Sequence, residues 1–407
     1  MPVLSSFSEF TLHLDAFIKR GLTVNASDFA GLARSLFALQ FDYVAPYRAL
    51  CEARRVTPES LADWRQIPAV PTDAFKEIEL TSLAPVERTA VFHSSGTTEH
   101  RPSRHIHSVE SLAVYEMSLK PWFARHLLPR TGDLRPSPVA STRSEAPALA
   151  STSDENCKSP ARFICLAPPK EQAPHSSLVH MFACASAAFS AGGTRFCASV
   201  GMDNAWVLDA SAALAALCDA SAAGKPVVLL GTAFMFVHLL DSLETRGETL
   251  VLPPGSRVME TGGYKGRSRE LPKAELHGQL TTRLGVPSEF IVSEYGMSEI
   301  SSQAYDGVAG DECRETSGAP VTTSYPTPHG SRVFQFPPWC RALVCSPETG
   351  REVDDGETGL LRLFDLANVR SVLAVQTEDL AVRRADGFEL LGRAARAEAR
   401  GCSLMVT

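Results

Sequence analysis

Along the first ninety residues, large apolar side chains recur every three or four positions: Phe10, Leu12, Leu14, Phe17 and Ile18, then Phe29, Leu32, Leu36 and Phe37. A 3.6-residue period gathers such positions on one face, so residues 1–90 are expected to be a helical lead-in packed on the main body, ending in the Pro-punctuated IPAVPTDAFKE. From Arg88 the pattern changes. TAVFH is β-branched and aromatic and runs straight into SSGTTEHRPS, which predicts a strand followed by a loop. Residues 130–160 are rich in Pro, Ser, Thr and Ala, with almost no large apolar side chain, and read as a flexible surface insertion that buries little. Beyond them, strand-like runs (RFICLAPP, TRFCASV, PVVLLGT, SRVMETGGY, EFIVSEYG) alternate with helical ones (VHMFACASAAFSAGG, an Ala-rich run near 210–223, and a run through Leu240). Alternation of this kind predicts an α/β fold with a largely buried sheet over residues 91–330. Residues 331–393 read as short strands between Gly and Asp turns, a β-rich lobe, and 394–407 as a short C-terminal tail. No internal repeat is present.

Composition narrows the function. The 407 residues suffice for one large core or two moderate ones, so neither a disulfide nor a structural metal is needed. A net charge of -7 leaves no basic field for the phosphates of a nucleic acid. The ten cysteines form no CxxC pair and read as reduced thiols of a cytosolic protein. The N-terminal run carries Glu9 and Asp15 among its apolar positions, unlike a signal peptide, and the apolar stretch Val179 to Gly193 is too short and too polar to cross a bilayer. A cytoplasmic protein with no nucleic-acid partner and no membrane span is expected.

The loop Ser94-Ser95-Gly96-Thr97-Thr98 is the strongest local signal: hydroxyls and backbone N–H groups around a glycine converge on phosphate oxygens without steric conflict. An ordinary Ser/Thr-rich turn would look the same in isolation. No Walker loop, GxGxxG or GxSxG occurs. After the strand EFIV comes Ser-Glu-Tyr-Gly-Met-Ser-Glu, which puts Tyr295 and Glu299 at a strand's end, where α/β proteins bind ligands. There Tyr295 suits a purine and Glu299 a magnesium ion, or both belong to a plain turn. Gly262 and Gly263 also end a strand, as close approach of backbone to a flat ring requires. Asp379 suits a ribose and Arg393 a ribose or phosphate, although each alone reads equally as a surface charge.

Together and in this order, SSGTT, GGY, SEYGMSE, TED and GR resemble the adenylate-forming superfamily of acyl-CoA synthetases, phenylacetate-CoA ligases and peptide-synthetase adenylation domains. Within it, SSGTTxxxPSRH, HSSLVHM, GGYKGRSRE, FPPWCR, GLLRLFDLAN, QTEDLAV and GRAARAEARGCSL are most similar to the acyl-protein synthetases of bacterial bioluminescence, over about residues 65 to 404. The resemblance implies that superfamily's large α/β N-terminal domain, its sheets flanked by helices and joined by a β-rich lobe, with the mobile C-terminal domain largely absent. It implies an ATP- and magnesium-dependent enzyme that activates a fatty or aromatic acid as an acyl adenylate and passes the acyl group to a thiol. Residues 94–98 become the ATP-phosphate loop and Glu299 the magnesium ligand. Gly262, Gly263 and Tyr295 line the adenine, Asp379 binds ribose and Arg393 ribose or phosphate. His175 falls beside the carboxylate substrate with His180 nearby, and Gly231, Thr232 and Phe234 fall on the acyl pocket, although core packing would explain these equally well.

The departures are also specific. Glu99 stands where many relatives have Gly, Arg104 lies near a position usually held by Lys, and Ala394 and Ala395 follow the GR motif in place of the hinge Asp or Lys. The chain runs only fifteen residues past Gly392, so no counterpart of the superfamily's C-terminal catalytic Lys is expected in it. Arg104, Lys265, Arg267 or a partner subunit would then supply the cation. For the acceptor, Cys402 in Arg-Gly-Cys-Ser is one candidate, with CoA or the phosphopantetheine of a carrier protein as the others. The competing expectation is a catalytically weak nucleotide- or acyl-binding subunit of a reductase or acyltransferase complex. His100, His105 and His107, flanked by Arg101 and Arg104, read as surface histidines rather than a zinc site.

Overall fold

The computed structural model describes residues 4–21, 25–94, 101–129, 161–202, 204–263, 268–308 and 332–393. The lead-in is helical: α1 (Phe7–Lys19), α2 (Ala26–Tyr43) and α3 (Ala45–Ala53). Ser6 caps α1 by accepting from the Glu9 N–H, with Glu9 in the first turn and Lys19 in the last, a distribution that suits the helix dipole. Its buried face is Phe7, Phe10, Leu14, Phe17 and Ile18. Leu12, part of the same apolar run, lies off that face and is 72% exposed.

The lead-in is tied to sequence-distant strands. A two-residue strand β1 (Val70–Pro71) and a single-turn helix α4 (Ala74–Glu77) follow it, then the hairpin β2 (Ala90–His93) and β3 (Arg104–His107) and the helix α5 (Val109–Leu127). After the insertion come β4 (Arg162–Leu166), α6 (Ser177–Phe189), β5 (Thr194–Phe196), the small hairpin β6 (Ala198–Val200) and β7 (Trp206–Leu208), α7 (Ala210–Ala222), β8 (Val227–Thr232), α8 (Ala233–Thr245), β9 (Arg257–Thr261), α9 (Lys273–Leu284), β10 (Ile291–Tyr295) and β11 (Ala304–Val308). The last described strands are β12 (Arg332–Gln335), β13 (Cys340–Cys345), β14 (Thr358–Asp365), β15 (Ala374–Arg384) and β16 (Gly387–Arg393). TRFCASV, expected as one strand, is divided. The chain leaves β5 at Cys197, whose N–H donates to Cys165 O at 2.8 Å, and re-enters as the separate hairpin.

Twelve of these strands form one sheet in the order β13-β14-β15-β16-β12-β11-β10-β9-β8-β4-β5, with β1 added parallel to β15. Strands β5, β4, β8, β9 and β10 are parallel, as their crossover helices require, and the remainder are antiparallel except for the β1–β15 pair. Strands β12 to β16 therefore continue the α/β sheet. They join it through β11–β12 and through the Phe334–Phe388 pair of β12 and β16, where a Cβ on Gly387 would overlap Phe334 O. Alternation along the parallel strands assigns each face to its own core. Ile164, Leu229, Val258 and Ile291 face α7, α8 and α9, while Phe163, Val228, Met259 and Val292 face α5, α6 and the lead-in helices. No helix among the described residues is long and apolar enough to cross a membrane.

The lead-in closes on the distant end of the chain. Gln40 on α2 donates to Asn368 O at 2.7 Å and accepts from Leu373 N at 2.8 Å, and Trp64 packs edge-on against Phe364 at 4.9 Å. Both polar ends of a fully buried Gln40 are satisfied, which is the condition for its burial to be tolerated.

Candidate active site

The carboxyl ends of the parallel strands lie in one row, since Thr232 pairs with Thr261 and Thr261 with Glu294 across β8, β9 and β10. Gly231, Thr232, Gly262, Gly263 and Tyr295 therefore reach the same edge. At Gly231 a Cβ would come within 3.1 Å of both Leu166 Cβ and Phe236 Cε2, so small size there serves packing. Thr232 and Phe234 are buried, and Phe234 belongs to the core beneath α7, α8 and α9. Gly262 is exposed, and Gly263 has φ +104°, a conformation that favours glycine.

The β2–β3 hairpin delivers Ser94 to this region. Its Oγ accepts from Ser103 N at 2.9 Å and its N–H donates to Ser103 O at 3.3 Å, closing the base of the loop; Ser95, Gly96, Thr97 and Thr98 lie outside the described residues. Arg104 pairs opposite His93, and its Nη1 meets Glu79 Oε1 at 3.3 Å, where Arg88 also binds. His175 docks on the same strand. Its carbonyl accepts from His93 N at 2.9 Å, its Nδ1 donates to Val91 O at 2.9 Å, and the two imidazoles stack at 4.5 Å. Burial and the neighbouring His175 and Arg104 push the His93 imidazole below its ordinary pKa. His180, in the first turn of α6, bonds Glu116 Oε1 at 3.1 Å, and that contact holds the Glu116 carboxyl below its usual range. Both residues line a cleft of about 230 Å3 between α5 and α6, with Lys120 and Lys170 at its sides.

Two of the three histidines expected at the surface are not there, and the third, His100, lies outside the described residues. His105 and His107 are 3% and 1% exposed, because β3 turns both rings inward between α5 and the 296–303 loop. Their centroids lie 4.2 Å apart, and burial depresses both, His105 to about 4. His105 Nδ1 donates to Ser298 O at 2.9 Å; a carbonyl only accepts, so the proton must be on that nitrogen. Among the described residues no three His, Cys, Asp or Glu side chains form a cluster that could hold a metal.

Glu299 sits in the loop between β10 and β11. It is 6% exposed, its Oε2 accepts from Ser298 Oγ at 3.2 Å, and no Lys, Arg or His pairs with it among the described residues. A buried carboxylate with so little compensation is a fitting place for a magnesium ion, which needs one or two protein carboxylates and takes its other ligands from phosphates and water. The loop is fastened from behind. Asp365 Oδ2 accepts from Ser301 N and Ser302 N, both at 2.8 Å, and Oδ1 from Ser302 Oγ at 2.8 Å and Ala367 N at 2.9 Å. Asn368 Nδ2 donates to Glu299 O at 2.9 Å. Burial raises the Asp365 pKa even against these donors.

Tyr295, Asp379 and Arg393 come together across three strands. The Tyr295 hydroxyl donates to Asp379 Oδ2 at 2.7 Å, and Arg393 Nε lies 3.6 Å from Asp379 Oδ1, which faces it in the β15–β16 register. The Tyr295 ring is enclosed by Phe334, Phe336 and Phe388, and burial followed by the Asp379 charge pushes its phenol well above the usual range. Arg393 is 82% exposed and free to turn toward a ligand. Cys402 and the 394–407 tail lie outside the described residues, as does the 130–160 insertion.

Glu294 was not singled out from the sequence, although it stands inside the SEYGMSE motif. It is 7% exposed, its Oε1 fills the space a Cβ on residue 296 would need, and burial raises its pKa to about 7, with Thr261 opposing and Glu260 adding to the shift. The folded state therefore holds this proton longer than the unfolded chain. Between about pH 4.5 and 7 this carboxyl's own contribution to stability falls as pH rises, by about 3 kcal/mol, and is flat outside that window. Glu294→Gln is expected to remove this slope. Urea midpoints of the variant and wild type should agree near pH 4.5 and diverge in the variant's favour by pH 8; a constant difference would refute the assignment. Asp365 and Asn368 were likewise passed over, although FDLAN contains both.

No family model matches this chain, and neither does any curated protein. Solved structures do. A 2-hydroxyisobutyryl-CoA ligase, solved in an open conformation with 2-HIB-AMP and CoA, superposes with a TM-score of 0.57 at 12% identity over 92% of this chain and 77% of its own. In the postadenylation state the same ligase gives 0.57 over 92% and 70%. ATP-bound MatB from Rhodopseudomonas palustris gives 0.45 at 17% identity over 77% of this chain and 49% of its own. The chain thus spans about half the length of the MatB structures. Its fold is the mixed α/β fold of the large N-terminal domain of adenylate-forming ligases, a large sheet flanked by helices.

Proposed function

We propose that this chain activates a carboxylic acid, of the fatty or aromatic class, as an acyl adenylate at the expense of ATP, and transfers the acyl group to a thiol. One observation carries the reading: the motifs whose order resembles the adenylate-forming superfamily come from segments up to about 300 residues apart, and several of their residues meet at the carboxyl edge of one sheet. The likeness of fold to a ligase solved with an acyl adenylate and CoA supports it.

In this reading the 94–98 loop wraps the triphosphate with N–H and hydroxyl donors. Asp379 keeps one oxygen on the Tyr295 hydroxyl and offers the other to the ribose, while Arg393 swings from Asp379 to a phosphate or ribose oxygen. Glu299, with no Lys, Arg or His paired to it among the described residues, would hold magnesium. When bound, the ion supplies charge neutralisation as the carboxylate oxygen attacks the α-phosphorus and pyrophosphate leaves. His175 and His93 present a stacked pair beside the loop, and His93, held below its ordinary pKa by burial and its neighbours, is suited to orienting a carboxylate rather than neutralising it. Arg104 would have to leave Glu79 to serve as the cation. The acyl acceptor is Cys402, CoA or a carrier-protein phosphopantetheine, and each is a thiol nucleophilic enough to open the mixed anhydride.

Pyrophosphate release with ATP, magnesium and a panel of fatty and aromatic acids, followed by intact mass, tests this. Acid-dependent release is expected. An adduct lost in Cys402→Ser would make that cysteine the acceptor, and release without an adduct would point to CoA or a carrier. Nucleotide binding with no release for any acid would replace the reading with that of a binding subunit.

A further inference from the structure

We infer that His105 is a positioning residue, a latch that fastens the strand carrying the phosphate loop to the segment carrying Glu299. The inference rests on the reading of Glu299 as the magnesium ligand. β3 leads out of the loop that begins at Ser94, and the 296–303 segment follows β10; 193 residues separate the two partners in sequence, yet His105 Nδ1 donates to Ser298 O at 2.9 Å. The accepting carbonyl belongs to the peptide bond immediately before Glu299. Fixing that peptide plane fixes the backbone from which the Glu299 side chain starts.

The latch is itself held. His105 is 3% exposed, lies against the His107 ring at 4.2 Å and meets Phe75 edge-on at 6.5 Å, so its imidazole has little freedom to release the bond. On the far side, Asp365 and Asn368 take Ser301 N, Ser302 N and Glu299 O. Those contacts bind the segment to the strand at its back. Tyr115 and Ser118 of α5 bond Gln303 and Ser302 farther along the segment, but among the described residues the His105 bond is the one that joins the hairpin itself to the peptide next to Glu299. A partner that orients a metal ligand from behind typically changes metal affinity 10–100-fold when removed.

The test compares His105→Leu and His105→Ala, which lose the donor, with His105→Asn, whose side-chain N–H replaces Nδ1. Two readouts need no turnover: hydrogen–deuterium exchange of peptides covering 296–303, and the magnesium concentration that half-saturates the thermal shift in the presence of ATP without acid. Donor loss is expected to accelerate exchange in that segment and raise half-saturating magnesium by about tenfold, with Asn within about threefold of wild type. Unchanged exchange in Leu and Ala would overturn the latch. Faster exchange without a magnesium shift, or a shift that Asn does not rescue, would overturn its positioning role. If wild type shows the magnesium shift but no acid releases pyrophosphate, the latch stands and the proposed reaction falls; if wild type shows no magnesium shift at all, both fall.

Discussion

Glu299→Ala is expected to abolish acid-dependent pyrophosphate release while leaving the protein as stable as wild type or more so. A metal that neutralises developing charge is worth several kcal/mol, so about a thousandfold loss of rate should follow removal of its ligand. The opposite effect on stability comes from the same carboxylate. It is 6% exposed, with a single hydroxyl donor and no cation among the described residues, so alanine removes a buried carboxyl that those residues do little to compensate. The loop does not depend on that side chain, since Asn368 holds the Glu299 carbonyl, which every residue has. Magnesium with ATP should raise the wild-type melting temperature through linkage, and that rise should vanish in the variant. Wild-type rates in Glu299→Ala would eliminate the site assignment. A large drop in its metal-free melting temperature would show that the side chain is structural.

The second large effect is one of stability. Asp365→Ala leaves Ser301 N, Ser302 N and Ala367 N without an acceptor in a position that is fully buried, while the Ser302 hydroxyl keeps Ser118 Oγ as a partner. Each stranded donor costs about 1–3 kcal/mol, so a loss of about 4 kcal/mol or more is expected, a large part of the stability of any domain. Urea midpoints measure it. Asp365→Asn, which keeps one acceptor oxygen, should lose about half as much, and a fall below about 1 kcal/mol in the alanine variant would mean that water reaches these donors.

The fold was legible where periodicity is local. Alternation of strand and helix from Arg162 onward, the helical lead-in and the strand-end positions of Gly262 and Tyr295 all follow from side-chain spacing over fewer than twenty residues. What was not legible depends on pairing across long separations. Nothing around His105 announces Ser298, and a histidine flanked by arginines reads as surface until β3 is seen to turn it inward. Strands β12 to β16 read as a lobe because Gly and Asp turns divide the run; that they extend the main sheet is decided by pairing of β12 with β11 and by the Phe334–Phe388 register. Leu12 shows the converse error, since an apolar residue in a periodic run need not face the core when the helix lies on a surface.

The tie between Gln40 and the 368–373 segment has a consequence for how the chain comes off the ribosome. The acceptors and donor that Gln40 requires lie 328 to 333 residues downstream, so at about 5–20 residues per second they are translated roughly 15–70 s after it. For that interval α2 cannot complete its native surroundings. Phe29, Leu32, Leu36 and Phe37 share a core with Phe364, Leu366, Val369 and Leu373, so part of their cover is synthesised last and the apolar face of α2 stays partly open while synthesis finishes.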